Sequence, residues 1–308
     1  MSAEFEQSTA ARRNFALILL WVTPALWSSN YIIARAANGI IAPHMLALGR
    51  WTLALALLLP WVWRDLAKQF PHWRGEWKQM LALGALGMWI CGAFVYIGGQ
   101  STSATNIGLI YAAAPVGIAV AGRWLLHETV SISQRAAMLV ALLGVLVVIS
   151  RGHLLNLIRV QFSVGDIWIA MAAISWVAYS VLQQHWSSVL APRQRLACIS
   201  AGGVLVLIPF TALEYWLTDP MAPSGKAVLL IALAGVLPGF LCYQAYAIML
   251  NELGATRTSL VMYLSPIYAA FVAWWLLHEA PQWFHAVGAL LVLPSIYLAT
   301  RATNKRGA

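Results

Sequence analysis

Runs of about 20 apolar residues, each long enough to cross roughly 30 Å of hydrocarbon as a helix, follow one another along this chain from Phe15 onward. The connections between them are too short to hold a soluble domain. Only 9% of the 308 residues are charged and 61% are hydrophobic, against roughly 25% charged in soluble domains. The polar surface that a water-soluble particle needs is missing. The expectation is an all-α integral membrane protein with the lipid bilayer as its immediate partner. The net charge of +9 is dispersed among short loops instead of gathered in a patch, which argues against nucleic-acid binding. Cys91, Cys198 and Cys242 sit inside apolar runs with no metal-ligand spacing and read as small packing residues. Arg12 and Arg13 before an apolar run, with "ARAA" at 34–37, imitate a signal peptide. The run exceeds the usual h-region, so it reads as a retained first helix.

The pattern parses into ten transmembrane helices, near 15–37, 43–63, 78–99, 103–124, 131–150, 165–187, 194–217, 226–248, 255–277 and 281–300. They fall into two units, 15–150 and 165–300. The string WLLHE occurs at 124–128 and again at 275–279, 151 positions later. At that offset Ala104, Thr105, Leu109, Pro115 and Ala119 also recur, and Gly84, Leu86 and Cys91 fall on Gly235, Leu237 and Cys242. At an offset of 149, Trp27 falls on Trp176 and Pro60 on Pro209. The chain is a duplicated five-helix unit. Five is odd, so the second copy starts on the side where the first ends, and the two repeats are inverted about an axis in the membrane plane. Placing both termini in the cytoplasm puts fourteen of the nineteen Lys and Arg on that side. Four (Arg35, Arg151, Arg159, Lys226) then lie opposite, and Arg50 lies within a span.

"ALWSSNYIIAR" (25–35) resembles the first-helix signature of the drug/metabolite transporter superfamily, and "LALGRWTLALALLLP" (46–60) its second-helix pattern. Pro115 to "LLHE" and Pro266 to "LLHE" are similar to the proline-to-LGE ending of its EamA-type unit, thirteen residues separating proline from Glu128 and from Glu279. The resemblance covers residues 15–300. It implies a ten-helix exporter and leans toward the aromatic amino-acid exporter branch. His127 and His278 stand where the family commonly has Gly, so the Gly-dependent turn there is not assumed. The His-Glu pairs read as helix ends, with "SISQ" (131–134) a capping box for the fifth helix and Pro281 in the first turn of the tenth.

In inverted-repeat transporters the binding site lies near the midplane between the repeats. Thr23, Trp27, Asn30 and Tyr31 share one face of the first helix, and Trp176, Tyr179, Ser180 and Gln183 one face of the sixth. These stripes, with Tyr111, Tyr243, Tyr246 and Tyr263 on other spans, are expected to wall a pocket for a small molecule. Aromatic rings there stack on flat ligands and hydrogen-bond through their polar tips. The competing role is packing or interfacial anchoring, which Trp61, Trp63, Trp73, Trp77 and Trp283 suit. Pro115, Pro238 and Pro266 fall inside spans, where proline frees a carbonyl and kinks the helix, and are the expected hinges. Arg50 has two readings, a ligand for a substrate carboxylate or a buried cation that ties the fold.

The leading function is secondary transport by alternating access, exporting small metabolites across a plasma membrane (a bacterial inner membrane), amino acids including aromatic ones. A multidrug or quaternary-cation exporter is the alternative, disfavoured because no Asp or Glu stands at mid-depth. An integral-membrane enzyme is the remote one, since no recognised spacing joins Ser28, Ser29, His44, His127, His153 and Glu214. No catalytic residue, metal site or cofactor is expected, and no phosphate-binding loop supports ATP coupling.

Overall fold

The computed structural model describes residues 2–158, 161–218, 224–277 and 282–301, and within them helices joined by short turns and loops make up the structure, with no strand. Nine helices among the described residues are long and apolar enough to cross a membrane, and the protein is a multi-pass integral membrane protein. The remaining expected span, 255–277, is present in two pieces, Ala255–Ser259 and Val261–Leu277. Together they cover roughly 34 Å at 1.5 Å per residue. The first helix begins earlier than expected, running Ser2–Ala36. His278, Glu279 and Pro281 lie outside the described residues.

Helix partners follow the duplication. The second span (Pro43–Lys68) packs on the seventh (Pro192–Leu217), and the fifth (Ile132–Ile149) on the tenth (Trp283–Arg301), so each of these pairs a segment with its own repeat. The first packs on the eighth and ninth, while the sixth (Val164–His185) packs on the third and fourth. That exchange of partners is what an inverted two-fold arrangement requires. Where backbones meet, small residues let them approach. A Cβ on Gly84 would stand 2.3 Å from the Gly203 nitrogen and 2.7 Å from the Ile199 oxygen. Outward faces are apolar at mid-span, with Leu205 63% and Leu290 73% exposed, as lipid contact demands.

Neither the third nor the eighth span is a regular helix. Trp77–Gly84 passes through a π-helical turn, Ala85–Ile90, into Cys91–Gly98. Gly225–Ala234 passes through another, Gly235–Leu241, into Cys242–Leu253. The turns are repeat equivalents, and their bonding is equivalent too. Cys91 N–H, which α geometry would send to Gly87, bonds the Leu86 carbonyl. Cys242 N–H, which α geometry would send to Pro238, bonds the Leu237 carbonyl. The carbonyls of Gly87 and Pro238 are thereby left without their α-helical donor.

The prolines differ in what they do. The fourth span breaks at Ala113, between Ala104–Ala112 and Ala114–Leu125, so Pro115 opens a new helix instead of kinking a continuous one. Its missing N–H costs nothing in a first turn. Pro266 lies inside Val261–Leu277, and the ninth-span break falls earlier, at Leu260. Gly84→Val is expected to destabilise the protein by about 3 kcal/mol or more through overpacking against backbone, seen as loss of the monodisperse peak in detergent. Gly75→Val, where nothing lies within 4 Å, is expected to leave that peak unchanged.

Candidate functional site

The two freed carbonyls are each met by a side chain from the opposite half. Tyr243 of the eighth span donates its hydroxyl to the Gly87 carbonyl at 2.9 Å. Arg50 of the second span donates Nη2 to the Pro238 carbonyl at 3.0 Å. In addition, Ser175 of the sixth span donates to the Leu86 carbonyl at 2.8 Å. The Arg50 and Tyr243 side chains touch one another, with the guanidinium carbon 5.8 Å from the phenol ring centre and 4.9 Å from that of Trp51.

Arg50 is 3% exposed. Its Nη1 donates to Asn30 Oδ1 at 3.2 Å and to the Tyr96 hydroxyl at 3.1 Å, and Tyr96 donates in turn to Asn30 Oδ1 at 2.9 Å. Every acceptor is neutral. Among the described residues no carboxylate stands in ion-pair range of this guanidinium, an unusual state for a buried cation.

Beside it lies a knot of rings drawn from both halves. Trp27 and Trp176, equivalent positions in the duplication, meet edge to face at 5.3 Å. Repeat-related residues can touch only near the axis that relates the halves, so this pair marks it. Tyr246 packs 5.5 Å from Trp27 and 4.7 Å from Trp176, and Tyr243 packs 5.7 Å from Trp176 and 4.6 Å from Trp51. Tyr179 stacks on Trp176 at 5.3 Å, and Tyr246 donates to Ser180 Oγ at 2.7 Å. The expected pocket walls are brought together, but Trp176, Tyr179, Tyr243 and Tyr246 cover one another and are 0–3% exposed. Burying their faces against each other is favourable wherever no ligand holds them apart. Three N–H donors around Tyr243 are buried without a partner, those of Arg50 Nε, Trp51 Nε1 and Trp176 Nε1.

Tyr111 lies with its hydroxyl 3.8 Å from Cys91 Sγ on the third span. Gln183 is buried beyond Tyr179, its Oε1 without a partner, and its backbone carbonyl receives Arg195 Nη1. Tyr263 is wholly buried with an unpartnered hydroxyl. The side chain of Tyr31 lies outside the described residues. Tyr96, Trp51 and Ser175 were missed, because nothing in the pattern sets them apart from other span residues before the helices are packed.

Carboxylates are used at the span ends. Glu128, the last residue of the first WLLHE, accepts from the backbone N–H of Ala255 (3.1 Å) and Thr256 (3.2 Å) and from the Thr256 hydroxyl. It thus caps the ninth span from the other half. His127 makes this possible by adopting φ +53°, the left-handed conformation that glycine favours. The turn forms despite the missing glycine. The SISQ capping box is present, Ser131 and Gln134 exchanging bonds of 3.2 and 3.0 Å. Glu214 takes the His44 side chain and the N–H groups of His44 and Met45, at 2.9 to 3.3 Å. Asp166 accepts from Ser163, Asn106 and Thr102.

A model of the EamA-like transporter family matches residues 14–150 and 163–301. An uncharacterized transporter of Archaeoglobus fulgidus is 26% identical over 285 residues, covering 92% of this chain and 96% of the relative. A protein of Chlamydia trachomatis named as an S-adenosylmethionine/S-adenosylhomocysteine transporter is 22% identical, over 91% of this chain and 88% of its own. A solved crystal structure shares the fold with a TM-score of 0.73 at 18% identity, covering 92% of this chain and 96% of that one. Glu128→Ala is expected to lower stability by about 1–3 kcal/mol by orphaning the three donors at 255–256. Glu252→Ala, which loses only a contact with Asn251, is expected to shift it by less than about 0.5 kcal/mol. A thermal melt of the purified variants checks both.

Proposed function

The chain belongs to the EamA-like transporter family, and on that premise we propose that it is a secondary transporter exporting amino acids or close derivatives by alternating access. The observation that carries the substrate class is the knot of buried rings from both halves beside a guanidinium that has only neutral partners. Rings offer stacking faces to a flat side chain, and an unneutralised buried cation favours an anionic group. Aromatic amino acids carry both features. The Chlamydia relative's named substrates are themselves amino-acid derivatives with a flat ring system and a carboxylate. A drug or quaternary-cation exporter is the second reading, and the uncompensated charge of Arg50 disfavours it.

In this reading the units 15–150 and 165–300 rock against each other and the rings part to admit the substrate. The breaks at Ala113 and Leu260 and the π turn holding Pro238 serve as hinges. The excess of Lys and Arg on one side supports cytoplasmic termini in a plasma membrane.

Counterflow into proteoliposomes loaded with one unlabelled amino acid at a time tests the proposal. Label is expected to accumulate with phenylalanine, tryptophan, methionine or S-adenosylmethionine, and no accumulation with any of them sinks it. Trp176→Ala is expected to lower the initial rate about tenfold, the equivalent of roughly 1.4 kcal/mol of lost contact. Trp216→Ala, at a residue 79% exposed, is expected to stay within twofold of the parent.

A further inference from the structure

We propose that Arg50 binds the substrate carboxylate by exchanging the Pro238 carbonyl for it, so that loading the site unties the second span from the eighth. This rests on the amino-acid reading above and adds to it a link between occupancy and the contact joining the halves.

The donor edges of the guanidinium carry the argument. Nη1 is fully engaged by Asn30 and Tyr96, both of the first half. The other edge, formed by Nε and Nη2, is half used. Nε is buried with no acceptor, while Nη2 holds the Pro238 carbonyl alone. Nε and Nη2 together are one of the two-pronged faces with which arginine grips a carboxylate. A carboxylate seated there satisfies the idle Nε, neutralises the cation and competes with one neutral acceptor at Nη2, whose two N–H groups otherwise serve the Pro238 carbonyl alone. Trp51 Nε1 and Trp176 Nε1, also unpartnered, stand around the same Tyr243 ring.

On the side opposite the termini, a crevice is lined by Ala34, Ala37, Asn38, Leu46 and Tyr96, whose hydroxyl is bonded to Arg50. Its volume of about 10 Å³ is at the limit of one water, so the site is closed to solutes in this conformation. Once the exchange has occurred, the second-half carbonyl loses its first-half donor. Among the described residues, the eighth span's remaining side-chain hydrogen bonds to the first half then lie just past the π turn, from Tyr243 to the Gly87 carbonyl and from Cys242 Sγ to the Thr23 carbonyl.

The test compares phenylalanine with phenylalaninamide and phenethylamine, which keep the ring and lose the carboxylate. Phenylalanine is expected to drive counterflow about tenfold or more better than either. It is also expected to raise hydrogen exchange across residues 239–243 severalfold in the purified protein, where the amide has no effect. In Arg50→Lys, which keeps the charge and loses the two-pronged edge, the preference is expected to fall below about threefold. If that variant does not fold, the ligand comparison on the parent protein decides alone. Equal counterflow by phenylalanine and its amide overturns this proposal and leaves the transporter reading standing. A preference for the carboxylate with unchanged exchange at 239–243 overturns the untying. No counterflow by any amino acid removes both readings together.

Discussion

Inside a bilayer a carbonyl without a donor has no water to turn to, and it must be answered by protein. Two such carbonyls, on Gly87 and Pro238, lie at equivalent places in the duplicated unit, left behind when the helix shifts by one residue at each π turn. Each is answered from the opposite half, by Tyr243 and by Arg50. The two donors contact each other, and the ring knot is built around them. A defect in one half is therefore repaired only by the presence of the other. This constraint ties the second, third and eighth spans together, and it gives an arginine a role in a place where a cation is costly.

At the membrane faces the same division of labour holds with acids in place of donors. Glu128, Glu214 and Asp166 each gather N–H or hydroxyl donors at the start of a span, and all three do so across the boundary between the repeats. A carboxylate at a helix start meets both the unpaired N–H groups and the positive end of the helix dipole. Spending acids on span ends leaves mid-depth, among the described residues, to aromatic and neutral polar groups plus one guanidinium.

Much of this was legible because it is written in local pattern. Apolar run length identified the spans, the offset of 151 identified the duplication, and the odd span number implied inversion. The capping box at Ser131 was readable from four residues, and the stripe positions Trp27, Trp176 and Tyr179 do converge. What stayed hidden depends on contacts between distant segments. Nothing about "ALGMWI" or "GVLPGFL" announces a π turn, since the carbonyls it frees are answered by side chains from the other half. Tyr96 looks like any span tyrosine until Asn30 and Arg50 are brought to it. Glu128 was readable as a helix end, but its partners lie 127 and 128 residues away. Histidine in place of glycine at position 127 left the turn there unassigned, and the backbone accepts the left-handed conformation at that residue.

The Trp27–Trp176 contact means that the centre of the protein holds a matched pair of rings, one from each inverted copy. A perfectly two-fold centre would be indifferent to which end of a molecule pointed which way. Arg50 removes that indifference. Its counterpart at the same offset of 149 is Ile199, a fully buried aliphatic residue. The charge exists on one side of the axis and has no image on the other. A centre assembled from two copies of one unit is thus polarised, with its guanidinium on one side of the axis alone.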